Sequence, residues 1–142
     1  MTIAAILQGK GGKVIQVEAS ATVLSVVQLL AEKRIGCVPV VSDGQVVGIF
    51  SERDVVYRLS AEGSGMLDQP VSAVMTSPAV TISDDTHVIS ALALMTHRRI
   101  RHLPVEKDGA LVGFVSIGDL VKYRVDKIES EAEAMRSYIQ GA

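Results

Sequence analysis

At 142 residues, with 48% hydrophobic and 21% charged side chains, this chain has the composition of one ordinary domain or of two half-size units that share a core. Its net charge of −2 argues against the broad basic face that non-specific nucleic-acid binding needs, and its single cysteine, Cys37, excludes an internal disulfide. No apolar run approaches the roughly 18 residues of a membrane span, so we expect a cytoplasmic protein that binds neither nucleic acid nor membrane.

The chain contains an internal repeat. Residues 17–57 align without a gap with residues 82–122, and fourteen of the 41 pairs are identical, where ordinary residue usage gives about three. The identical pairs include several turn and motif residues: Arg34/Arg99, Pro39/Pro104, Asp43/Asp108, Gly44/Gly109, Gly48/Gly113, Ser51/Ser116 and Asp54/Asp119. The chain is therefore a tandem duplication, and we divide it into a first repeat at 1–62, a second repeat at 63–128 and a C-terminal helical extension at 129–142.

Each repeat predicts the order strand, helix, strand, strand, helix. The first helix has apolar residues at helical spacing, with Ser20 or Thr22 available as its N-cap and Gly36 just past its end. In the second repeat the equivalent helix follows Asp84 or Asp85. We expect one of these aspartates to cap it.

A β-hairpin follows the first helix in each repeat. Two β-branched runs, at 37–41 and 45–50, flank Asp43-Gly44, and an Asp-Gly pair supplies the positive φ angles that a tight hairpin turn requires. The second repeat has the same arrangement around Asp108-Gly109, and the second helices then begin at Ser51 and Ser116.

The two repeats are predicted to share one fold. About 60 residues with one exposed sheet face bury too little surface to fold alone. We therefore expect an α/β (α+β) protein in which the two repeats pack sheet to sheet about a pseudo-twofold axis. Such packing leaves two equivalent clefts at the starts of the second helices, a first cleft at Ser51 and a second at Ser116, where helix N-termini favour anions.

A stretch rich in glycine and lysine, residues 9–13, is the main difference between the copies, since it adds about three residues before the first repeat. It lacks the Gly-x4-Gly-Lys-Ser/Thr spacing and the preceding strand of a phosphate-binding P-loop. We expect it to form a flexible lip over the first cleft. The apolar residues 4–7 before it mirror residues 71–75 before the second repeat.

The repeats resemble the CBS domain (cystathionine-β-synthase type), and their tandem arrangement resembles a Bateman module. The resemblance covers nearly the whole chain and rests on six elements in register: residues 34–40 (RIGCVPV), 43–44 (DG) and 48–54 (GIFSERD), then 99–105 (RIRHLPV), 108–109 (DG) and 113–119 (GFVSIGD). Any one of these is weak evidence, whereas six at one spacing are strong.

The resemblance implies a non-catalytic regulatory sensor that binds an adenine nucleotide such as AMP, ADP, ATP or NAD, or S-adenosylmethionine. In that family a Gly-x-x-Ser/Thr-x-x-Asp motif supplies an aspartate to the ribose hydroxyls, which here implies Asp54 and Asp119. Charge-assisted hydrogen bonds of this kind are roughly twice as strong as neutral ones. The full set of expected ligand-binding residues is Val38, Pro39, Ser51, Arg53, Asp54, Thr81, Arg101, His102, Leu103, Pro104, Ser116 and Asp119.

Charge distinguishes the two predicted clefts. Arg101 and His102 replace Gly36 and Cys37, so we expect the second cleft to be the more basic, although both residues also fit a solvated strand edge. Arg53 lies in the first turn of its helix, where it can reach a phosphate in the first cleft, whereas the equivalent Gly118 has no side chain.

The same residues also have less specific interpretations that involve no ligand. Ser-x-x-Asp also fits an ordinary helix cap, and that role is compatible with ligand binding. Cys37 fits a small buried residue, and His87 and His97 fit surface positions. No arrangement of a nucleophile and base or of metal ligands is recognisable, so we expect no enzyme, catalytic cofactor or metal. The alternative function is a dimerisation scaffold whose clefts are degenerate and empty.

The C-terminal extension predicts assembly. Its apolar residues recur at alternating steps of four and three, the spacing of a packed helix seam: Val121, Val125, Ile128, Ala132, Met135 and Ile139. We expect a homodimer in which this helix packs on the neighbouring subunit, with a regulated protein as a further partner. The alternative is that the helix folds back over its own repeat.

Overall fold

Each repeat folds in the predicted order of strand, helix, hairpin and helix. The computed structural model describes residues 1–11 and 13–141, so Gly12 of the predicted lip and Ala142 of the extension lie outside the described residues. The elements are α1 (Ile3–Lys10), β1 (Val17–Glu18), α2 (Val23–Lys33), β2 (Cys37–Ser42), β3 (Gln45–Ser51), α3 (Glu52–Glu62), β4 (Ile82–Ser83), α4 (Val88–Arg98), β5 (His102–Lys107), β6 (Ala110–Ser116) and α5 (Ile117–Gly141). Two short 3-10 turns, Ser64–Asp68 and Val71–Ala73, connect α3 to the second repeat.

The duplication extends to strand register. One sheet has the order β1-β2-β3 and the other β4-β5-β6, each with a parallel pair followed by an antiparallel hairpin. Val17 lies opposite Val40 in the first sheet, and Ile82 lies opposite Val105 in the second. The register shifts directly after Val40 and directly after Val105. The strands β3 and β6 meet where the two repeats pack together.

The predicted hairpin turns are confirmed. Asp43 and Gly44 have φ angles of 52° and 78°, and Asp108 and Gly109 have 53° and 78°. Both central residues of each turn are thus left-handed, as a two-residue hairpin with the native strand twist requires. The helices before the hairpins end at left-handed Arg34 and Arg99 rather than at glycine.

The N-cap of α4 differs from the prediction. Thr22 caps α2 as expected, because its hydroxyl accepts the Ser25 N–H at 3.2 Å. Neither Asp84 nor Asp85 caps α4, which begins at Val88 after His87. The reason is tertiary: the N-terminal end of the chain lies against α4, and the Val88 N–H donates to the Met1 carbonyl at 3.2 Å.

The segment that precedes each repeat packs into the core of the other repeat. Ile3 and Ile6 of α1 are buried with the second repeat, whereas Val71 and Val74 are buried with the first. The backbone contacts correspond, since the Ile3 N–H donates to the Thr86 carbonyl at 2.9 Å and the Val71 N–H donates to the Ala21 carbonyl at 2.7 Å. Neither core forms from one continuous segment. The boundaries at 62/63 and 128/129 therefore stay a proposal about how the sequence divides.

The last helix, α5, continues far beyond the second repeat. It is one helix from Ile117 to Gly141, and every described residue from position 125 onward is exposed. The extension does not fold back over its own repeat. Within the described ranges, no helix combines the length and the apolar character needed to cross a bilayer.

Candidate ligand-binding site

Three parts of the chain meet around a cavity of about 400 Å³. This volume falls within the range of about 300–1,000 Å³ that is typical of small-molecule sites. We call it the Asp119 cavity, and the residues that line it are Leu7, Lys10, Gly11, Lys13, Val14, Ile15, Ile35, Gly36, Cys37, His102, Val112, Gly113, Phe114, Ser116 and Asp119. Of the predicted ligand residues, the structure brings His102, Ser116 and Asp119 together here.

A reciprocal helix cap fixes the position of Asp119. Its Oδ2 accepts the Ser116 N–H at 2.9 Å, and the Ser116 Oγ accepts the Asp119 N–H at 3.1 Å. The same capping box joins Ser51 and Asp54 in the first repeat. The capping interpretation is therefore confirmed in both copies. Each cap also holds its carboxylate at the start of a helix.

Lys10 is the second partner of Asp119. Its Nζ donates to Asp119 Oδ2 at 2.8 Å and to the Phe114 carbonyl at 3.1 Å. Burial by itself raises the pKa of Asp119, but the hydrogen bonds from Lys10 and from the Ser116 N–H outweigh it and leave the pKa below its ordinary value. The carboxylate is therefore ionised at neutral pH, with one oxygen engaged by these donors.

His102 contributes a flat, uncharged surface to the cavity. Its ring stacks on Phe114 with a centroid distance of 5.4 Å and an interplanar angle of 13°. Burial lowers the pKa of His102; the charge of Asp119 opposes this shift, and the charges of Lys10 and Arg101 add to it. The net shift is downward. The imidazole is therefore mainly neutral at pH 7, since the ordinary pKa of histidine is already about 6.5.

The source of positive charge differs from the sequence-based expectation. Arg101 is exposed and does not line the Asp119 cavity, whereas Lys10 and Lys13 do. The prediction that residues 9–13 form a lip over the first cleft is wrong, because Lys10, Gly11 and Lys13 line the Asp119 cavity at the second cleft. The physical reason is that α1 packs on the second repeat and carries the residues after it to that side.

The carboxylate of the first cleft has different partners. Asp54 Oδ2 accepts the Ser51 N–H at 2.9 Å, and its Oδ1 accepts the Thr76 hydroxyl at 3.0 Å. Neither Asp54 nor Ser51 lines the Asp119 cavity. Arg53 is exposed on the first turn of α3 and also lies outside that lining.

The predicted ligand-binding residues on and beside the strands are mostly buried. Val38 and Leu103 are fully buried in the two repeat cores, on the helix side of their sheets. Pro39 and Pro104 are also buried and, as the next residues along each strand, face the opposite side of the sheet. Thr81 is exposed just before β4. None of these five lines the Asp119 cavity, and their ligand roles stay predictions.

Comparison with known proteins agrees with this geometry. The family model for the CBS domain matches residues 12–61 and 71–126. The chain belongs to the CBS-domain family. It is 33% identical over 149 residues to the mitochondrial CBS domain-containing protein CBSX3 of Arabidopsis thaliana, an alignment that covers 99% of this chain and 72% of the relative.

Solved structures of CBS-domain proteins have the same fold. The CBS-domain protein ATU1752 from Agrobacterium tumefaciens superposes with a TM-score of 0.80 at 37% identity, covering 87% of this chain and 92% of that one. CBSX2, solved in complex with AMP, superposes with a TM-score of 0.73 at 26% identity, covering 88% and 96%. The predicted family and fold are thus confirmed.

Sequence reasoning missed the contribution of the first repeat to the cavity of this CBS pair. Ile35 and Gly36, which connect α2 to β2, and Cys37, the first residue of β2, line it. Burial raises the pKa of the Cys37 thiol to about 12, and the charge of Asp54 adds to the shift, while a backbone hydrogen bond at Val38 opposes it. Cys37 is thus a neutral, buried side chain, as expected. The signal was available in the alignment, where residues 36–37 occupy the positions of Arg101 and His102.

The described residues offer no metal site. No group of three or more His, Cys, Asp or Glu side chains within them is arranged to hold a metal ion. Both His87 and His97 are exposed, as expected, and each ring nitrogen Nδ1 lies near a backbone carbonyl.

Proposed function

We propose that this CBS pair is a non-catalytic regulatory module that binds an adenine nucleotide in the Asp119 cavity. The observation that carries the proposal is the placement of one ionised carboxylate, two lysines and a stacked aromatic pair around a single cavity of ligand size. The carboxylate can accept hydrogen bonds from both ribose hydroxyls. The ammonium groups of Lys10 and Lys13 can balance the charge of a phosphate.

The solved complex of the similar protein CBSX2 with AMP supports this class of ligand. Cations from the N-terminal segment and an apolar surface from Val14 and Ile15 suit a ligand with a charged end and a flat, weakly polar end. AMP, ADP, ATP and NAD all have both parts. Cytoplasmic location belongs to the same proposal, and we note that the similar CBSX3 is mitochondrial.

Titration calorimetry of the two aspartates tests the proposal. We expect AMP or a related nucleotide to bind, and Asp119→Ala to weaken binding about ten- to a hundredfold, because a hydrogen bond to a charged group contributes about 1.5–3 kcal/mol. Asp54→Ala should have the smaller effect, since Asp54 does not line the cavity. Asp68→Ala is the control, because Asp68 is an exposed aspartate that does not line the Asp119 cavity.

The scaffold alternative predicts a different result. A scaffold with degenerate clefts binds none of AMP, ADP, ATP, NAD or S-adenosylmethionine, so none of them raises the melting temperature of the intact chain. A ligand that binds only the native state must raise it by mass action. Absence of both binding and thermal shift for the whole panel contradicts the sensor proposal and favours the scaffold.

We also propose that the chain is a homodimer in which α5 packs on the neighbouring subunit. The seam residues are exposed in the single chain, with Met135 at 60% and Ile139 at 66%, and an apolar stripe of this length favours burial. A regulated protein is a further expected partner.

Light scattering at micromolar concentration tests the dimer. The intact chain should have twice the mass of the monomer, and truncation after Lys127 should give a monomer. Two substitutions in the same turn of α5 compare the apolar seam with the opposite face of the helix. Met135→Glu should dissociate the dimer, whereas Ser137→Glu should not. A monomeric intact chain, or an unchanged dimer in the truncated chain, contradicts this role for α5.

A further inference from the structure

Lys10 joins the N-terminal helix to the carboxylate expected to hold ribose. On the basis of the proposed nucleotide function, we propose that Lys10 makes the cavity select ligands by their charge. In the free protein the Lys10 ammonium is paired with the Asp119 carboxylate, and it moves to the ligand phosphate when a nucleotide binds. The cavity then favours phosphorylated adenine ligands over the neutral nucleoside.

The two repeats differ in the group that contacts the carboxylate of the capping box. In the first repeat Thr76 makes two kinds of contact: its backbone pairs with Ile49, and its hydroxyl donates to Asp54 at 3.0 Å. In the second repeat one group, the ammonium of Lys10, contacts both the equivalent carbonyl, that of Phe114, and the equivalent carboxylate, that of Asp119. A neutral hydroxyl in one repeat is therefore replaced by a full positive charge in the other.

The Lys10–Asp119 contact can be displaced. The side chains are 43% and 27% exposed, and ion pairs that remain accessible to water contribute little to stability. Lysine carries its charge at the end of a flexible four-carbon chain. Both residues also line a second cavity of about 420 Å³ between α1 and α5, so the ammonium has space on either side of the pair.

Displacement has opposite consequences for two ligands. A ribose whose two hydroxyls use both carboxylate oxygens of Asp119 competes with Lys10 for Oδ2, the oxygen that already accepts the Lys10 ammonium and the Ser116 N–H. A nucleotide compensates for the lost ion pair, because its phosphate offers the ammonium a new partner within the same cavity. Adenosine offers no such partner, so its binding carries the full cost of breaking the pair. Lys10 thus strengthens the binding of AMP and weakens that of adenosine.

Calorimetric titration of AMP and adenosine into the intact chain tests this assignment. The variant is Lys10→Gln, which keeps much of the side-chain length and removes the charge. AMP affinity should fall about tenfold or more, as for loss of a hydrogen bond to a charged group, whereas adenosine affinity should stay equal or rise. The same titrations in an Asp54→Ala background remove any contribution from the first cleft.

Two further variants serve as controls. Lys107→Gln removes an exposed lysine that pairs with Asp84 and does not line the Asp119 cavity, so it should leave both affinities unchanged. Lys10→Arg keeps the charge and should preserve most of the preference for AMP. Lys10→Arg retains the charge, so its comparison with the parent chain still tests the role of Lys10 if circular dichroism shows that Lys10→Gln is poorly folded.

The possible results are distinct. Equal losses for AMP and adenosine in Lys10→Gln, unchanged AMP affinity in that variant, or loss of the AMP preference in Lys10→Arg overturns the role of Lys10 and leaves the nucleotide function standing. Failure of the parent chain to bind any adenine nucleotide overturns both proposals together.

Discussion

Alanine substitution at Gly48 and, separately, at Gly113 compares two equivalent positions of the fold. A Cβ at Gly48 would lie 2.6 Å from Met75 Sδ and 2.7 Å from the Thr76 carbonyl oxygen. The three atoms nearest to a Cβ at Gly113 all belong to the Leu7 side chain: Cδ2 is the closest, followed by Cδ1 at 2.8 Å and Cγ at 3.2 Å. We expect Gly48→Ala to be the more destabilising, because a leucine can change rotamer whereas a backbone carbonyl cannot move alone.

The magnitude follows from these contacts. Overpacking costs typically about 1–3 kcal/mol. At Gly48 the movement also weakens the Ile49–Thr76 bridge, whose two hydrogen bonds of 3.0 and 2.9 Å contribute about 1 kcal/mol each. Replacing glycine within a strand returns about 0.5–1 kcal/mol of backbone entropy. The net loss at Gly48 is therefore about 2–4.5 kcal/mol if both hydrogen bonds are lost. At Gly113 the leucine side chain can move, so the overpacking cost lies near the lower end of the range, at about 1–2 kcal/mol, and the net loss is about 0–1.5 kcal/mol.

Scanning calorimetry of the two variants measures this difference. At about 2–4 °C per kcal/mol for a chain of this size, Gly48→Ala should lower the Tm by roughly 5–15 °C and Gly113→Ala by less than about 5 °C. Equal losses, or the reverse order, would refute the argument that the backbone contact decides the cost. Gly9→Ala is the control for the glycine substitution itself, since a Cβ there meets nothing within 4 Å.

Three further predictions concern charge and reactivity. Cys37 should react slowly with iodoacetamide at pH 8 in the native protein and rapidly in denaturant, because burial raises the pKa of its thiol to about 12; fast native alkylation contradicts this. The pKa of Asp119 is lowered on folding, so the stability contributed by its ion pair is present above its ordinary value of 3.8 and lost as the pH falls through the lower folded value. The difference in stability between the parent and Lys10→Gln should therefore shrink at acidic pH to what the Lys10 hydrogen bond to the Phe114 carbonyl contributes, and a difference that does not change with pH excludes the ion pair as the cause. In an Asp119→Ala background, Arg53→Ala should weaken ATP binding at the first cleft and spare adenosine; equal losses refute a phosphate role.

Much of the local structure of this CBS pair was predictable from the sequence. The repeat placed equivalent residues 65 positions apart, and the strands, hairpins and second helices formed where turn chemistry and apolar periodicity placed them. Ser116 and Asp119 were correctly predicted to lie together, because a capping box involves residues only three apart. These features depend on neighbours in the chain, which the sequence displays directly.

The exchange of segments between repeats was decided only by the tertiary structure. The sequence shows that residues 4–7 and 71–75 are alike but not which core each of them completes, because both cores present similar aliphatic surfaces. The exchange places α1 on the second repeat and so sets Lys10 against Asp119, 109 residues away. The cap of α4 and the source of positive charge both follow from this packing. Contacts at such separation depend on which apolar surfaces are buried together, and that is a property of the folded chain rather than of any local pattern.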